Sequence, residues 1–162
     1  MKLFILFAFL ALKVLAMPDD FMLDSKETLH IVDGDSVGLQ MRIQGIDTPE
    51  LGQLCKKTKF EIDDCGELST KFLKKILREL PGKLSIQTLG TGYYRRILVR
   101  IYKGHTNIGR YMVEQGMAFS YQDNYLSSQN RAKMLKRGFW NFHTPPLQPY
   151  KWRKLHPPRL QK

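Results

Sequence analysis

Carboxylates that could act together bracket a short apolar segment of the chain. Asp35 follows Gly34 in an Asp-Gly-Asp sequence, which is typical of a tight turn. Asp47 and Glu50 lie in a second turn, Asp-Thr-Pro-Glu, because proline disfavours helix at the residue before it. Carboxylates that are brought close together repel one another unless a cation lies between them, and a hard divalent cation is the usual solution. The stretch therefore indicates either a metal site or two ordinary solvated turns.

Basic side chains lie at fixed offsets from these carboxylates. Residues 37–46 predict a β-strand, since β-branched and aliphatic residues alternate there with single polar ones, and Arg42 lies within it. Residues 93–102 predict a second strand that opens with Tyr94 and Arg96. The alternative is a plain strand with exposed arginines. We interpret both segments as parts of one site.

The remaining elements form the scaffold. Residues 67–80 predict a helix, because apolar residues recur at three- to four-residue spacing until a Pro-Gly pair ends the pattern. Residues 28–32 and 84–88 predict strands. Two shorter helices are predicted, one from about residue 108 to a glycine cap at Gly116 and one at 129–137 behind Ser127 or Ser128.

The chain is strongly basic and begins with an apolar segment. Residues 1–16 hold Lys2, a ten-residue apolar run and small residues at the end, which predicts a secretory signal cleaved after Ala16. The alternative is an uncleaved or interfacial anchor, because Lys13 is unusual so late in a signal. The formal charge of +11 predicts an anionic partner: nucleic acid, anionic lipid or acidic polysaccharide. At 43% hydrophobic residues, the chain is one folded domain and not a disordered polycation.

Two cysteines, Cys55 and Cys65, are ten residues apart. An even pair in a secreted chain favours a disulfide over a metal site, which would need more ligands. Two free thiols are the alternative if the chain is not secreted.

The two acidic turns and Arg42 together resemble the signature of the thermonuclease family, the staphylococcal-nuclease-like domains. The matching residues are Val-Asp-Gly-Asp-Ser at 32–36 and Arg-Ile-Gln-Gly-Ile-Asp-Thr-Pro-Glu at 42–50. Tyr94 and Arg96 are similar to the family's second motif, although Gly92 and Arg95 depart from it. The resemblance implies an α+β, mainly β fold: a five-stranded OB-type barrel with three helices. Secreted members of the family often carry a cysteine pair at this place.

The resemblance also implies the roles of individual residues. Asp35, Asp47 and the carbonyl of Thr48 would hold one Ca²⁺. Glu50 would be the general base, and Arg42 and Arg96 would clamp the phosphate. Tyr94 would donate a hydrogen bond to it. Arg42 follows Asp35 by only seven positions, which is shorter than usual in the family, so we expect short strands there.

The function implied is a Ca²⁺-dependent nuclease that cuts DNA and RNA with little sequence preference and leaves 3′-phosphate ends. We expect a monomer that is secreted or periplasmic, with its nuclease domain at 17–144. A non-catalytic nucleic-acid-binding module and a basic protein of the envelope surface are the alternatives. We expect no compact element in the Pro-rich basic tail at 145–162, although its Pro149-Tyr-Lys-Trp-Arg153 sequence resembles a motif of secreted members that packs on the domain.

Overall fold

The computed structural model of the chain describes residues 29–92 and 96–157. The predicted secretory signal lies outside these residues, and so do Tyr94 and Arg95. The described elements are short strands in groups, separated and followed by helices, and they confirm an α+β domain. They are β1 (Leu29–Ile31), β2 (Val37–Leu39), β3 (Met41–Ile43), β4 (Ile46–Asp47), β5 (Leu54–Lys56), β6 (Ile62–Asp64), α1 (Cys65–Glu79), β7 (Leu84–Thr91), β8 (Ile97–Lys103), β9 (Thr106–Asn107), α2 (Ile108–Glu114), β10 (Phe119–Ser120), α3 (Leu126–Met134), a 3₁₀ helix (Gly138–Asn141) and α4 (Pro149–Leu155).

The largest sheet carries one side of the site. Its order is β3-β8-β7, with β9 also paired to β8. β3 runs parallel to β8, and this register places Arg42 beside Leu98. Side chains alternate along a strand, so Ile97 and Val99 enter the core while Arg96 and Leu98 share the opposite face. The sheet therefore brings Arg42 and Arg96 to the same side.

The predicted single strand over residues 37–46 is wrong, because the structure divides it into β2, β3 and β4. Gly45 causes the second break: its φ of +80° is costly for other residues, and an added Cβ would lie 2.8 Å from Asn124 Cβ. β1 pairs with β2, whereas β4 pairs with β10. In the part of the chain that is described, these pairs and the larger sheet do not close into a barrel, so the predicted five-stranded closure is not confirmed.

Helix α1 packs the core against the sheet and matches its prediction closely. Its N-cap is Asp64, whose side chain accepts from Glu67 N at 3.0 Å and from Gly52 N at 2.8 Å. The hydrogen bond from Glu67 is the main reason that the pKa of Asp64 is lowered. The helix buries Ile76 in a cluster with Ile46 of β4 and with α2. The same packing thus fixes the strand that ends at Asp47.

The C-terminal third differs from the predictions. α3 begins at Leu126, earlier than expected, and Ser128 does not cap it but donates to Glu114 at 3.3 Å. The helix ends before Lys136, which adopts a positive φ of 50°. The expectation that the tail holds no compact element is wrong, since α4 lies within it. Residues 29–92 and 96–157 hold four α-helices where three were predicted. The first residue of α4 is Pro149, a favourable position for proline.

Among residues 29–92 and 96–157, no helix is both long and apolar enough to cross a bilayer.

The predicted disulfide is confirmed. Cys55 of β5 and Cys65 at the start of α1 are bonded, with their Cα atoms 5.9 Å apart. Both are buried against Phe139 of the 3₁₀ helix in a second apolar cluster. The bond ties the β5–β6 hairpin to α1.

Reduction of this disulfide should lower the free energy of unfolding by about 3 kcal/mol, because the unfolded chain regains the entropy of an open loop. Urea unfolding with and without dithiothreitol measures the effect. A Cys55→Ala, Cys65→Ala double variant is the control and should not respond to reductant. An equal response of the variant and the native chain would contradict the prediction.

Candidate active site

A cleft of about 1110 Å³ lies between the largest sheet, α1 and the C-terminal helix α4. Predicted site residues from both motifs line it, together with residues that the sequence analysis did not assign. The predicted ones are Arg42, Asp47, Thr48, Glu50 and Arg96; the additional charged or aromatic ones are Tyr121, Tyr150, Arg153 and Lys154. The structure therefore brings two segments about fifty residues apart in sequence to one concave surface.

Asp47 is the buried centre of the charged network. Its side chain is only 7% exposed, since β4 pairs with β10 in a register that sets Asp47 opposite Phe119. Arg42 Nη2 donates to Asp47 Oδ1 at 3.1 Å. The Arg42 guanidinium also lies 5.7 Å from the centre of the Tyr121 ring, a cation–π distance. A buried carboxylate requires such partners, because desolvation of an unpaired charge is costly.

Arg153 of α4 bridges both carboxylates. Its Nη1 donates to Glu50 Oε1 at 2.6 Å and to Asp47 Oδ1 at 3.3 Å, while its Nη2 donates to Asp47 Oδ2 at 2.8 Å. The hydrogen bonds to Asp47 are the main cause, with Glu50 contributing, of a raised pKa for Arg153. The guanidinium is therefore a permanent cation between two carboxylates that would otherwise repel one another.

The turn that carries Glu50 is fixed from two sides. Glu50 N donates to Gln53 Oε1 at 3.1 Å, and Gln53 N returns a bond to Glu50 O at 2.9 Å. Gln53 is buried, and its Nε2 donates to Leu147 O at 2.6 Å, which fastens the tail to this turn. On the other side, Gly66 of α1 approaches so closely that an added Cβ would lie 2.1 Å from Glu50 O. Neither Gln53 nor Gly66 was assigned to the site from sequence.

Two predicted site residues are not placed at this network. Asp35 lies in the exposed turn after β1, where its Oδ1 accepts from Ser36 Oγ at 3.1 Å, and it does not line the cleft. Tyr94 lies outside the described residues. Thr48 and Arg96 line the cleft.

The arrangement does not fit the predicted Ca²⁺ site. Both oxygens of Asp47 are engaged by arginines, and Asp35 is elsewhere. Within the described ranges, no group of three or more His, Cys, Asp or Glu side chains is placed to hold a metal ion. Ca²⁺ prefers six to eight oxygen ligands, and this carboxylate set supplies few.

Fold and cleft together define an α+β domain with an arginine–carboxylate site. A family model described as Staphylococcal nuclease homologue matches residues 40–142, which is more than half of the chain. The chain belongs to this family.

Individual relatives agree with the family match. The chain is 28% identical over 133 residues to an uncharacterized endonuclease of Haemophilus influenzae, with 79% of this chain and 67% of the relative covered. It is 24% identical over 130 residues to the thermonuclease of Staphylococcus hyicus, covering 71% and 75%. It is 23% identical over 133 residues to a probable endonuclease of Komagataella phaffii, covering 73% of this chain and 55% of that protein.

Substitution of Gly66 by alanine should lower the free energy of unfolding by about 1–3 kcal/mol, because its Cβ must displace the backbone of Glu50. Urea unfolding measures the change. Gly34→Ala is the matched control: Gly34 has no positive φ, and an added Cβ would meet no atom within 4 Å. If both substitutions had the same effect, the close approach of α1 to the Glu50 turn would not matter for stability.

Proposed function

We propose that this chain is a nuclease that hydrolyses phosphodiester bonds of DNA and RNA and leaves 3′-phosphate ends. Family membership supports a nuclease broadly. The observation that carries the proposal is the gathering of Arg42, Arg96 and Glu50 on the surface of one cleft. Hydrolysis of a phosphodiester needs a base that orients water and cations that neutralise the phosphoryl oxygens, and this cleft offers both.

Glu50 is better suited than Asp47 to act as the general base. The Glu50 side chain is 39% exposed at the cleft, so water can reach it, whereas Asp47 is 7% exposed and held by two arginines. The contact with Arg153 fixes the direction of the Glu50 carboxylate. Asp47 then holds the arginines, and Glu50 takes the proton of the attacking water.

Arg42 and Arg96 act as the phosphate clamp. A guanidinium carries five donors, so the contact of Arg42 with Asp47 leaves it able to bind phosphate oxygens as well. Arg96, the residue before β8, lines the same cleft. Guanidinium donors stabilise the charge that builds on the phosphoryl group as water attacks.

Charge favours a nucleic acid as the substrate over a small phosphate ester. The cleft is lined by Arg42, Arg96, Arg153 and Lys154 against Asp47 and Glu50, and the chain carries a formal charge of +11. A positive cleft on a basic protein attracts polyanions. Contacts to phosphate carry no sequence information, which accounts for little sequence preference.

Further properties are proposed from the family resemblance and the sequence alone. They are a closed OB-type barrel, export of a monomeric domain of residues 17–144 to the periplasm or the medium, and a phosphate contact from Tyr94. The Ca²⁺ dependence that the resemblance implies is not assigned to Asp35, Asp47 and Thr48, because Asp35 lies outside the cleft and both oxygens of Asp47 accept from arginines.

Glu50→Gln should reduce kcat for hydrolysis of single-stranded DNA by about 10²–10⁴-fold, because the amide cannot accept the proton of water. The rate is measured with the oxidised protein in Ca²⁺ and in chelator. Glu61→Gln is the matched control: Glu61 is exposed, pairs with Lys57 and lies away from the cleft.

An unchanged rate in Glu50→Gln would contradict the assignment of Glu50 as the general base. Binding of DNA that persists without hydrolysis in the native chain, under both metal conditions, would contradict the nuclease and favour a non-catalytic binding module.

A further inference from the structure

The C-terminal helix α4 brings the guanidinium of Arg153 to the site, although α4 lies outside the residues that match the family model. The match ends at residue 142, and α4 begins at Pro149. Arg153 nevertheless makes three hydrogen bonds of 2.6–3.3 Å with Asp47 and Glu50. A residue that the matched family region does not include thus contacts the two carboxylates of the cleft.

Contacts around helix α4 hold Arg153 in its position. Pro149, the first residue of α4, is buried, and the segment before it is held by the bond from Gln53 Nε2 to Leu147 O. Trp152 stacks on His156 with ring centres 4.4 Å apart. The forked geometry of the guanidinium matches a carboxylate in a way that a mobile lysine does not.

Arg153 occupies the carboxylate oxygens that a divalent cation at Asp47 and Glu50 would need. Asp47 Oδ2 accepts from Arg153, and Oδ1 accepts from Arg42 and Arg153. A metal ion that coordinates Asp47 must therefore displace at least one of these contacts and tolerate a nearby guanidinium. The guanidinium and the metal ion carry like charges and would lie a few ångström apart in a partly buried site. Their repulsion therefore lowers the affinity of the cleft for the metal ion.

We propose that Arg153 is a positioning residue whose guanidinium competes with divalent cations for the carboxylate of Asp47. It holds Asp47 and Glu50 together and sets the affinity of the cleft for a free cation. The proposal rests on the proposed function only in taking this cleft as the hydrolytic site. It predicts that loss of the Arg153 charge makes the cleft bind a divalent cation more tightly.

Calorimetric titration of the whole oxidised chain with Ca²⁺ tests the proposal. Arg153→Met should lower the Kd for Ca²⁺ roughly tenfold, a change typical of coupling between two ligands of one site. Arg153→Lys keeps the charge and should remain closer to the native chain. Lys151→Met removes a cation from the same helix without touching the cleft, so it controls for the general loss of positive charge and should leave the Kd unchanged.

Circular dichroism shows whether each variant is folded, and Arg153→Gln replaces the methionine variant if that one is not. Equal affinities in Arg153→Met and Lys151→Met would overturn the proposal, and so would the absence of Ca²⁺ binding in every variant. DNA hydrolysis is measured separately on the same samples. A chain that binds Ca²⁺ as expected but does not cleave DNA would refute the proposed function and leave the role of Arg153 intact.

Discussion

The buried carboxylate of Asp47 is the constraint on which the site depends. A charge at 7% exposure is stable only with close cationic partners, and here two arginines from distant parts of the chain provide them. Arg42 comes from β3 and Arg153 from α4, so the pairing of one side chain fixes the edge of the sheet relative to the C-terminal helix. Glu50 is then held in the same network. The pairing of Asp47 with two arginines thus both stabilises the buried charge and sets the layout of the cleft.

Local features of the fold could be predicted because their causes are local. The apolar spacing and the Pro-Gly stop located α1 within two residues at its start. The cysteine pair, in a chain that was predicted to be exported, indicated the disulfide. The predicted strand over residues 37–46 is broken twice, and the second break falls at Gly45, whose close approach to Asn124 sequence alone does not show. The start of α3 was missed for a similar reason: Ser128 bonds to another helix and does not cap its own.

The candidate site was only partly accessible from sequence. Arg42, Asp47 and Glu50 lie within nine positions of one another, on β3, at the end of β4 and in the turn that follows, and all three line the cleft. Arg153 belongs to a motif that was noted in the tail. Nothing in the sequence shows that it contacts Asp47, which is 106 residues earlier in the chain. Gln53 and Gly66 act through backbone contacts, which leave no chemical signal in a sequence. The position of Asp35 depends on how β1 and β2 pair, which a turn sequence does not determine.

Mapping of amide chemical shifts with a short, non-hydrolysable single-stranded phosphorothioate oligonucleotide tests the central claim most directly. If the arginine–carboxylate cleft binds the phosphodiester, the largest changes should fall at residues 41–50, at Arg96 and along α4, whose helix carries Arg153. The competing surface is the basic outer face of α1, with Lys71, Lys74 and Lys75. Changes concentrated on that face, with the cleft unperturbed, would contradict the account.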